Sequence, residues 1–278
     1  MKRGKVGYLC LLFPLFLVSC GGNPSQSVVA TDYSVGESEK PQYQEAVSES
    51  KNQVLFSKLD LGTDLSNTII RPVQRFLFDD GEEFDKNIPE PLGFLGNEYE
   101  RFYIHYDTVY QLQKGRYQVM GKTKFLDNIK TIAGEIIVDS IVPHFQVSAI
   151  DCELGGMAPF VEGDETGTIY AHYSFTEARD GVPVGKYVGR AIFDYALHKG
   201  NLYYDATNLI ADGYCNNQYE GVWVSLDNDD EIICNWGDYR IPNSGPLDIG
   251  CAEFYPNEEA QKNHGWANYN QPDTLWWK

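Results

Sequence analysis

Phe102-Tyr103-Ile104-His105-Tyr106-Asp107-Thr108-Val109-Tyr110-Gln111-Leu112 leads through Gln113-Lys114-Gly115 into Arg116-Tyr117-Gln118-Val119-Met120-Gly121-Lys122-Thr123. Both runs repeat with a period of two, the spacing at which side chains alternate between the faces of a strand. Phe102, Ile104, Tyr106, Thr108, Tyr110 and Leu112 are expected on one face of the first run. Tyr117, Val119, Gly121 and Thr123 are expected on one face of the second. The short glycine-containing turn makes the pair a hairpin. Leu126-Asp127-Asn128 turns the chain again into Ile132–Val142, so the three runs read as an antiparallel meander.

The pattern continues along the chain. Strands are expected at Thr168–Thr176, Lys186–His198, Leu202–Asp205, Gly221–Leu226, Glu231–Trp236 and Leu247–Phe254, with turns at Asp180-Gly181 and Lys199-Gly200-Asn201. Gly115-Arg116-Tyr117 recurs as Gly185-Lys186-Tyr187, an echo of hairpin geometry and not a duplicated domain. Glycines inside these strands point to close backbone approach, as where a sheet curls. Many strands with short connections and no long helical period define an all-β fold, an antiparallel meander forming a β-barrel or β-sandwich.

Upstream the composition changes. Residues 21–53 are mostly Ser, Gln, Glu, Asn, Gly and Pro, without Leu, Ile, Phe or Trp. Such a stretch buries too little surface to offset its ordering entropy, and it reads as a disordered tether spanning on the order of 30 Å. Residues 54–95 read as a transitional segment with an amphipathic piece at Ile70–Phe78. Its acidic run, Asp79, Asp80, Glu82, Glu83 and Asp85, reads as a solvated loop. The domain organisation is therefore 1–19 as a leader, 20–53 as a tether, 54–95 as a connection and 96–278 as the all-β domain.

The leader carries Lys2, Arg3 and Lys5 ahead of an apolar run, Val6 to Val18, broken by Pro14. That run is too short to cross roughly 30 Å of hydrocarbon, which needs about 20 helical residues, and it reads as a signal peptide. It ends in Leu17-Val18-Ser19-Cys20, which resembles the lipobox of bacterial lipoproteins. The resemblance implies that Cys20 is acylated and becomes the first residue. A thiolate is the nucleophile suited to that transfer. At about 0.8 kcal/mol per buried methylene, two or three acyl chains anchor stably where one does not. Gly21, where lipoproteins kept at the inner membrane often carry Asp, implies an outer-membrane address, facing the periplasm or the cell surface. The strand–turn rhythm, with Gly221-Val222-Trp223 late in the chain, resembles small periplasmic β-barrel lipoproteins of streptavidin-like and lysozyme-inhibitor-like architecture. That likeness is architectural and transfers no functional residue.

A net charge of −18, more acidic once the leader is removed, disfavours nucleic acid and anionic headgroups as partners. Four thiols remain in the domain, Cys152, Cys215, Cys234 and Cys251. An even number in an exported chain favours two disulfides, in any of three pairings. None has C-x-x-C spacing, so neither metal nor cofactor is expected. The five tryptophans fall between Trp223 and Trp277 among several Asn and Asp residues. Flat rings beside amides and carboxylates suit a sugar-binding surface, with Trp236, Asp238, Arg240 and Trp266 as the candidate contacts. The competing reading places Trp223 and Trp236 in the core and the others over a barrel end.

A second possibility is glycan hydrolysis by Asp238, Asp248 or Glu253, which needs two carboxyl groups about 5–9.5 Å apart at the base of a cleft. Against it stands a structural ion pair of Arg240 with Asp248 or Glu253. A third is an inhibitor or assembly factor acting on an envelope protein, favoured if a closed barrel has a solid interior. Asp227, Asp229 and Glu231 start like a calcium loop but Ile232 occupies the position that needs glycine, so a charged turn is expected. The five histidines are scattered, and most are expected on solvent-facing strand positions. Asp107-Thr108-Val109, Asp139-Ser140-Ile141 and Asp273-Thr274-Leu275 resemble an O-glycosylation sequon of some Gram-negative envelope proteins. The leading expectation is a non-enzymatic lipid-anchored module that binds a glycan or an envelope protein.

Overall fold

Eight strands hydrogen-bond edge to edge until the last meets the first, so the sheet has the connectivity of a closed barrel. The computed structural model describes residues 56–66, 68–70, 73–87, 90–153, 159–179, 184–270 and 275–278. The leader, Cys20 and the tether lie outside these residues. The strands are β1 (Val73–Leu77), β2 (Glu83–Asn87), β3 (Leu92–Leu95), β4 (Glu100–Gln113), β5 (Arg116–Phe125), β6 (Asn128–Gln146), β7 (Glu165–Glu177), β8 (Gly185–His198), β9 (Asn201–Asp205), β10 (Asn216–Ser225) and β11 (Glu231–Asp238). β3 to β8 form a consecutive antiparallel meander. β10 then pairs with β8, β11 with β10, and β3 with β11, which completes the ring.

β8 makes this possible by forking. Gly185 to Ile192 pair with β10, while Tyr195 to His198 pair with β9. β9 in turn carries β1 in parallel, and β1 carries β2 antiparallel, as a flap beside the barrel. The stretch 54–95 thus supplies three strands. Two of the five acids in its acidic run, Glu83 and Asp85, are in β2, where Arg75 reaches Glu83 at 3.0 Å across the pair. At the fork, Gly189 and Gly221 are register partners, and a Cβ on Gly189 would lie 2.0 Å from the Glu220 carbonyl oxygen. Only glycine lets the two backbones approach that closely.

The interior is filled by side chains. Phe102, Tyr106, Tyr117, Tyr173, Phe175, Tyr187, Phe193, Tyr219 and Trp236 belong to one buried cluster. Trp236 lies flat on Tyr219 (4.7 Å between ring centres, 16°) and meets Tyr173 edge-on, the offset and edge contacts that aromatic quadrupoles favour. Its indole N–H donates to the Tyr106 hydroxyl at 3.3 Å.

Strand β4 departs from the expected alternation. Phe102, Ile104 and Tyr106 point inward, but a bulge between Tyr106 and Thr108 hands the inner face to Val109. Thr108, Tyr110 and Leu112 therefore face solvent, because one extra residue in a strand inverts every later side chain. β5 carries no such bulge opposite β6, and Tyr117, Val119 and Thr123 are buried as the period requires.

Leu247–Phe254 is not a strand. A 3-10 turn, η1 (Gly245–Leu247), is followed by a loop whose one bridge joins Asp248 to Pro256. Pro246 cannot donate to a ladder, and the Asp248 carboxylate takes the N–H groups of Gly250 (3.0 Å) and Tyr255 (3.1 Å) instead. A short helix, α2 (Glu258–Asn263), follows, capped by Asn257, which accepts from the Ala260 N–H at 2.8 Å. Gly265, at φ +79, turns the chain after it. This C-terminal segment packs Phe254, Leu247 and Trp266 against Phe94, so β3 is covered on both faces. Residues Asn52–Lys278 form one compact unit.

Candidate functional site

The residues proposed from sequence do not meet on an open surface. Trp236 and Trp266 are both fully buried, the first inside the barrel and the second in the C-terminal cluster. Neither ring presents a face to a sugar. Trp266 donates its indole N–H to the Tyr99 carbonyl at 2.7 Å, and the Arg101 guanidinium lies over its ring. Asp238 is buried at the barrel end, bonded to Asn217 (2.9 Å) and Tyr204 (3.2 Å). Burial pushes its carboxyl up to about 8, against the smaller opposing pull of those two hydrogen bonds. Arg240 pairs with Asp248 at 2.6 Å and donates to the carbonyls of Gly250 and Cys251. It is a clasp for the C-terminal loop.

A cleft of about 700 Å³ opens beside this clasp. The β9–β10 connection contributes Leu209 and Tyr214, the loop after η1 contributes Glu253 and Phe254, and Tyr269 follows from the chain end. Tyr239 enters because its backbone is left-handed at φ +66, which turns the chain sharply out of β11. That conformation is uncommon for a residue with a side chain. The Tyr214 and Tyr239 rings meet edge to face at 5.1 Å, and Phe254 and Tyr269 at 5.7 Å. Tyr214 is fixed by its hydroxyl, which donates to the Asp205 carbonyl at 2.5 Å. Burial pushes the Tyr239 phenol up to about 12 and raises that of Tyr214 further, so both are neutral hydrogen-bonding groups.

Polar groups ring these aromatics. Lys86, Glu90, Asp212 and Asn270 line the same cleft, with Arg101 at its floor. Arg101 is almost wholly buried, stacked between Tyr103 (4.3 Å) and Trp266 (4.6 Å), and desolvation lowers its pKa to about 10. It donates to the carbonyls of Phe102 (2.8 Å) and Gly93 (3.1 Å). Of the acids considered for hydrolysis, Glu253 lines the cleft, whereas Asp238 is enclosed in the barrel end and Asp248 is held by Arg240. The arrangement offers rings and hydrogen-bonding groups to a bound molecule, and it does not set those acids facing one another.

The other sequence features are placed as follows. Cys152, Cys215, Cys234 and Cys251 are all free thiols, so the expected two disulfides are absent; Cys234 is enclosed in the core, whereas Cys152 and Cys251 are exposed. Asp227 to Asp230 form the β10–β11 turn. Thr108 and Ser140 both stand outward on strands, next to bulges, and residues 273 and 274 lie outside the described residues. Only His144 and His172 are exposed on strands; His105 and His264 are mostly covered, and His198 is buried against Asp164 at 2.5 Å, tying β8 to the loop before β7. Sequence reasoning missed Tyr214, Tyr239, Phe254 and Tyr269 as a group. The density of Tyr in the last third was the available signal, outweighed by the tryptophans. No protein-family model, no curated protein and no solved structure matches this chain.

Proposed function

We propose that this chain is a lipid-anchored protein of the bacterial outer membrane, held through acylated Cys20, whose β-domain binds a glycan in the tyrosine-lined cleft without catalysing a reaction. The observation that carries the reading is the pairing of half-buried rings, Tyr214, Tyr239 and Tyr269, with Glu253, Asp212 and Asn270 around one opening. Aromatic faces cover the C–H surfaces of a sugar, and amides and carboxylates bond its hydroxyls. Non-catalytic binding is supported by the separation of Asp238 and Asp248 from that opening.

The test is a glycan array probed with the purified domain-bearing chain, followed by titration of intrinsic fluorescence with any retained sugar. Retention of a glycan class that Tyr269→Ala abolishes supports the reading. Silence across all glycans retires it. Membrane attachment is tested separately: mass spectrometry of the native protein is expected to find the Cys20 sulfur acylated, and Cys20→Ser is expected to leave the membrane fraction. A protein partner is the second reading, favoured by the packed interior of the ring, which leaves recognition to outer surfaces.

A further inference from the structure

Aspartate is followed by Ser or Thr three times in this chain, at Asp107-Thr108, Asp139-Ser140 and Asp273-Thr274, and each time an aliphatic residue comes next, Val109, Ile141 or Leu275. Residues 273 and 274 lie outside the described residues. The other two pairs share one structural setting. The register of β4 against β5 shifts between Tyr106 and Thr108, and that of β6 against β7 shifts between Val138 and Ser140, so an aspartate is the extra residue of each bulge. In a regular strand the aspartate and the residue after it point to opposite faces, one of them inward. The bulge keeps both outside: Asp107, Thr108, Asp139 and Ser140 are all exposed, while Val109 is fully buried and Ile141 packs against the same core.

The surroundings repeat as well. The cross-strand partner of Thr108 is Met120 and that of Ser140 is Tyr170, two large side chains left in solvent on the outer wall. A histidine stands beside each aspartate, His105 at 3.7 Å from Asp107 and His172 at 2.8 Å from Asp139. Other hydroxyls of the domain are held by carboxylates. Ser148, at the start of a short helix, α1 (Ala149–Glu153), donates to Asp151 at 2.7 Å, Thr168 to Asp194 at 2.5 Å and Thr207 to Asp205 at 2.6 Å. Among the described residues no acid holds Thr108 or Ser140 in this way, so both hydroxyls are open to a reagent from solvent. One site carries Thr and the other Ser, and what they share is the hydroxyl.

We propose that Thr108 and Ser140 are O-glycosylated after export, with Asp107 and Asp139 as part of what the transferase recognises. The resemblance of the triplets to an O-glycosylation sequon supplies the kind of modification, and the twice-repeated bulge supplies an exposed hydroxyl beside an exposed carboxylate. In the transfer the hydroxyl oxygen attacks the anomeric carbon of an oligosaccharide carried on a lipid diphosphate. The bond from that carbon to the diphosphate oxygen breaks, and the lipid diphosphate leaves with the bonding pair. The hydroxyl proton passes to a base of the transferase, and nothing is oxidised or reduced. The attached sugars lie over Met120 and Tyr170 and make that part of the outer wall polar. Exposure to such a donor rests on the envelope location proposed above and is independent of the cleft.

The experiment takes the full chain from the cells that make it, cleaves it after lysine and arginine, and fragments the peptides by electron transfer, which leaves sugars attached. Peptides 102–114 and 131–179 are expected to be heavier than their sequences by whole sugar residues, localised to Thr108 and Ser140. Made in the same cells, Thr108→Val and Ser140→Ala are each expected to lose the added mass from their own peptide alone, Thr108→Ser to keep it, and Asp139→Asn to lose it from Ser140 with circular dichroism unchanged. A bare hydroxyl at either position, a phosphate in place of sugar, or sugar on Ser140 that survives Asp139→Asn overturns the proposal. The same spectra report the N-terminal peptide, so an acylated Cys20 with bare Thr108 and Ser140 overturns this proposal and leaves the lipid anchor standing.

Discussion

The Asn217 side-chain amide donates to the buried Asp238 carboxyl across 2.9 Å, joining the start of β10 to the last residue of β11. Asn217 is left-handed at φ +47, a conformation asparagine tolerates better than most residues. The Tyr204 hydroxyl is the second partner, and together they hold a carboxyl that burial alone would leave isolated.

This pair sets a pH dependence. The Asp238 pKa is raised from the usual 3.8 to about 8 in the folded chain. Below pH about 4 both states are protonated. Between about 4 and 8 the folded chain keeps a proton that the unfolded chain has lost, so stability falls with rising pH, by on the order of a few kcal/mol in all. Above 8 the loss is complete. Urea midpoints at pH 4.5 and 8.5 are expected to differ more in the native chain than in Asp238→Asn, and equal slopes in the two proteins would reject this assignment.

Trp236→Ala removes the ring that Tyr219, Tyr173, Phe102 and Tyr187 all touch. A destabilisation of about 3–5 kcal/mol is expected from the lost contacts and the cavity. Guanidinium unfolding followed by far-ultraviolet circular dichroism measures it. A change under about 1 kcal/mol would mean that this ring is not part of the core.

Gly189→Ala places a methyl group 2.0 Å from the Glu220 carbonyl oxygen, at the fork where β8 meets β10. Backbone, not a flexible side chain, must move, so a loss of about 1–3 kcal/mol or more is expected. Thermal unfolding is the readout, and an unchanged midpoint would argue against ring closure at this pair of strands.

Arg240→Met breaks the 2.6 Å pair with Asp248 and frees the carbonyls of Gly250 and Cys251. Leaving the mostly buried Asp248 carboxylate without its cation is expected to cost about 3 kcal/mol. Limited proteolysis is expected to cut the loop after η1 at least several-fold faster than in the native chain, whereas equal cutting rates would show that Arg240 is not the clasp.

Tyr269→Ala deletes one ring of the cleft at a half-buried position. On the glycan reading, affinity is expected to fall about tenfold, equivalent to about 1.4 kcal/mol, with little change in stability. Parallel titration and melting curves separate the two effects. Full retention of affinity would place any bound sugar elsewhere.

How much was readable in advance follows from the range over which each feature acts. Alternation in Arg116 to Lys124 is local, and β5 was legible residue by residue. The bulge at Asp107 was not, since inserting one residue leaves no residue-type mark, and it reversed Thr108, Tyr110 and Leu112. Leu247–Phe254 has strand-like composition, yet Asp248 satisfies its backbone from the side. The ion pair between Arg240 and Asp248 was legible as one of two options, because the two residues are eight apart across a turn.

From the sequence alone came the period of two that makes this an all-β chain and the segment ending in Cys20 that reads as a lipid anchor. Both are recorded in residues that are neighbours along the chain. The tertiary structure alone decided that β3 joins β11, that β8 serves both β9 and β10, that Trp236 and Trp266 are enclosed, and that tyrosines line the cleft instead. Which strands pair, and which rings lose their water, depends on contacts between residues more than a hundred positions apart, as in the Trp236 to Tyr106 hydrogen bond, and no local period encodes them.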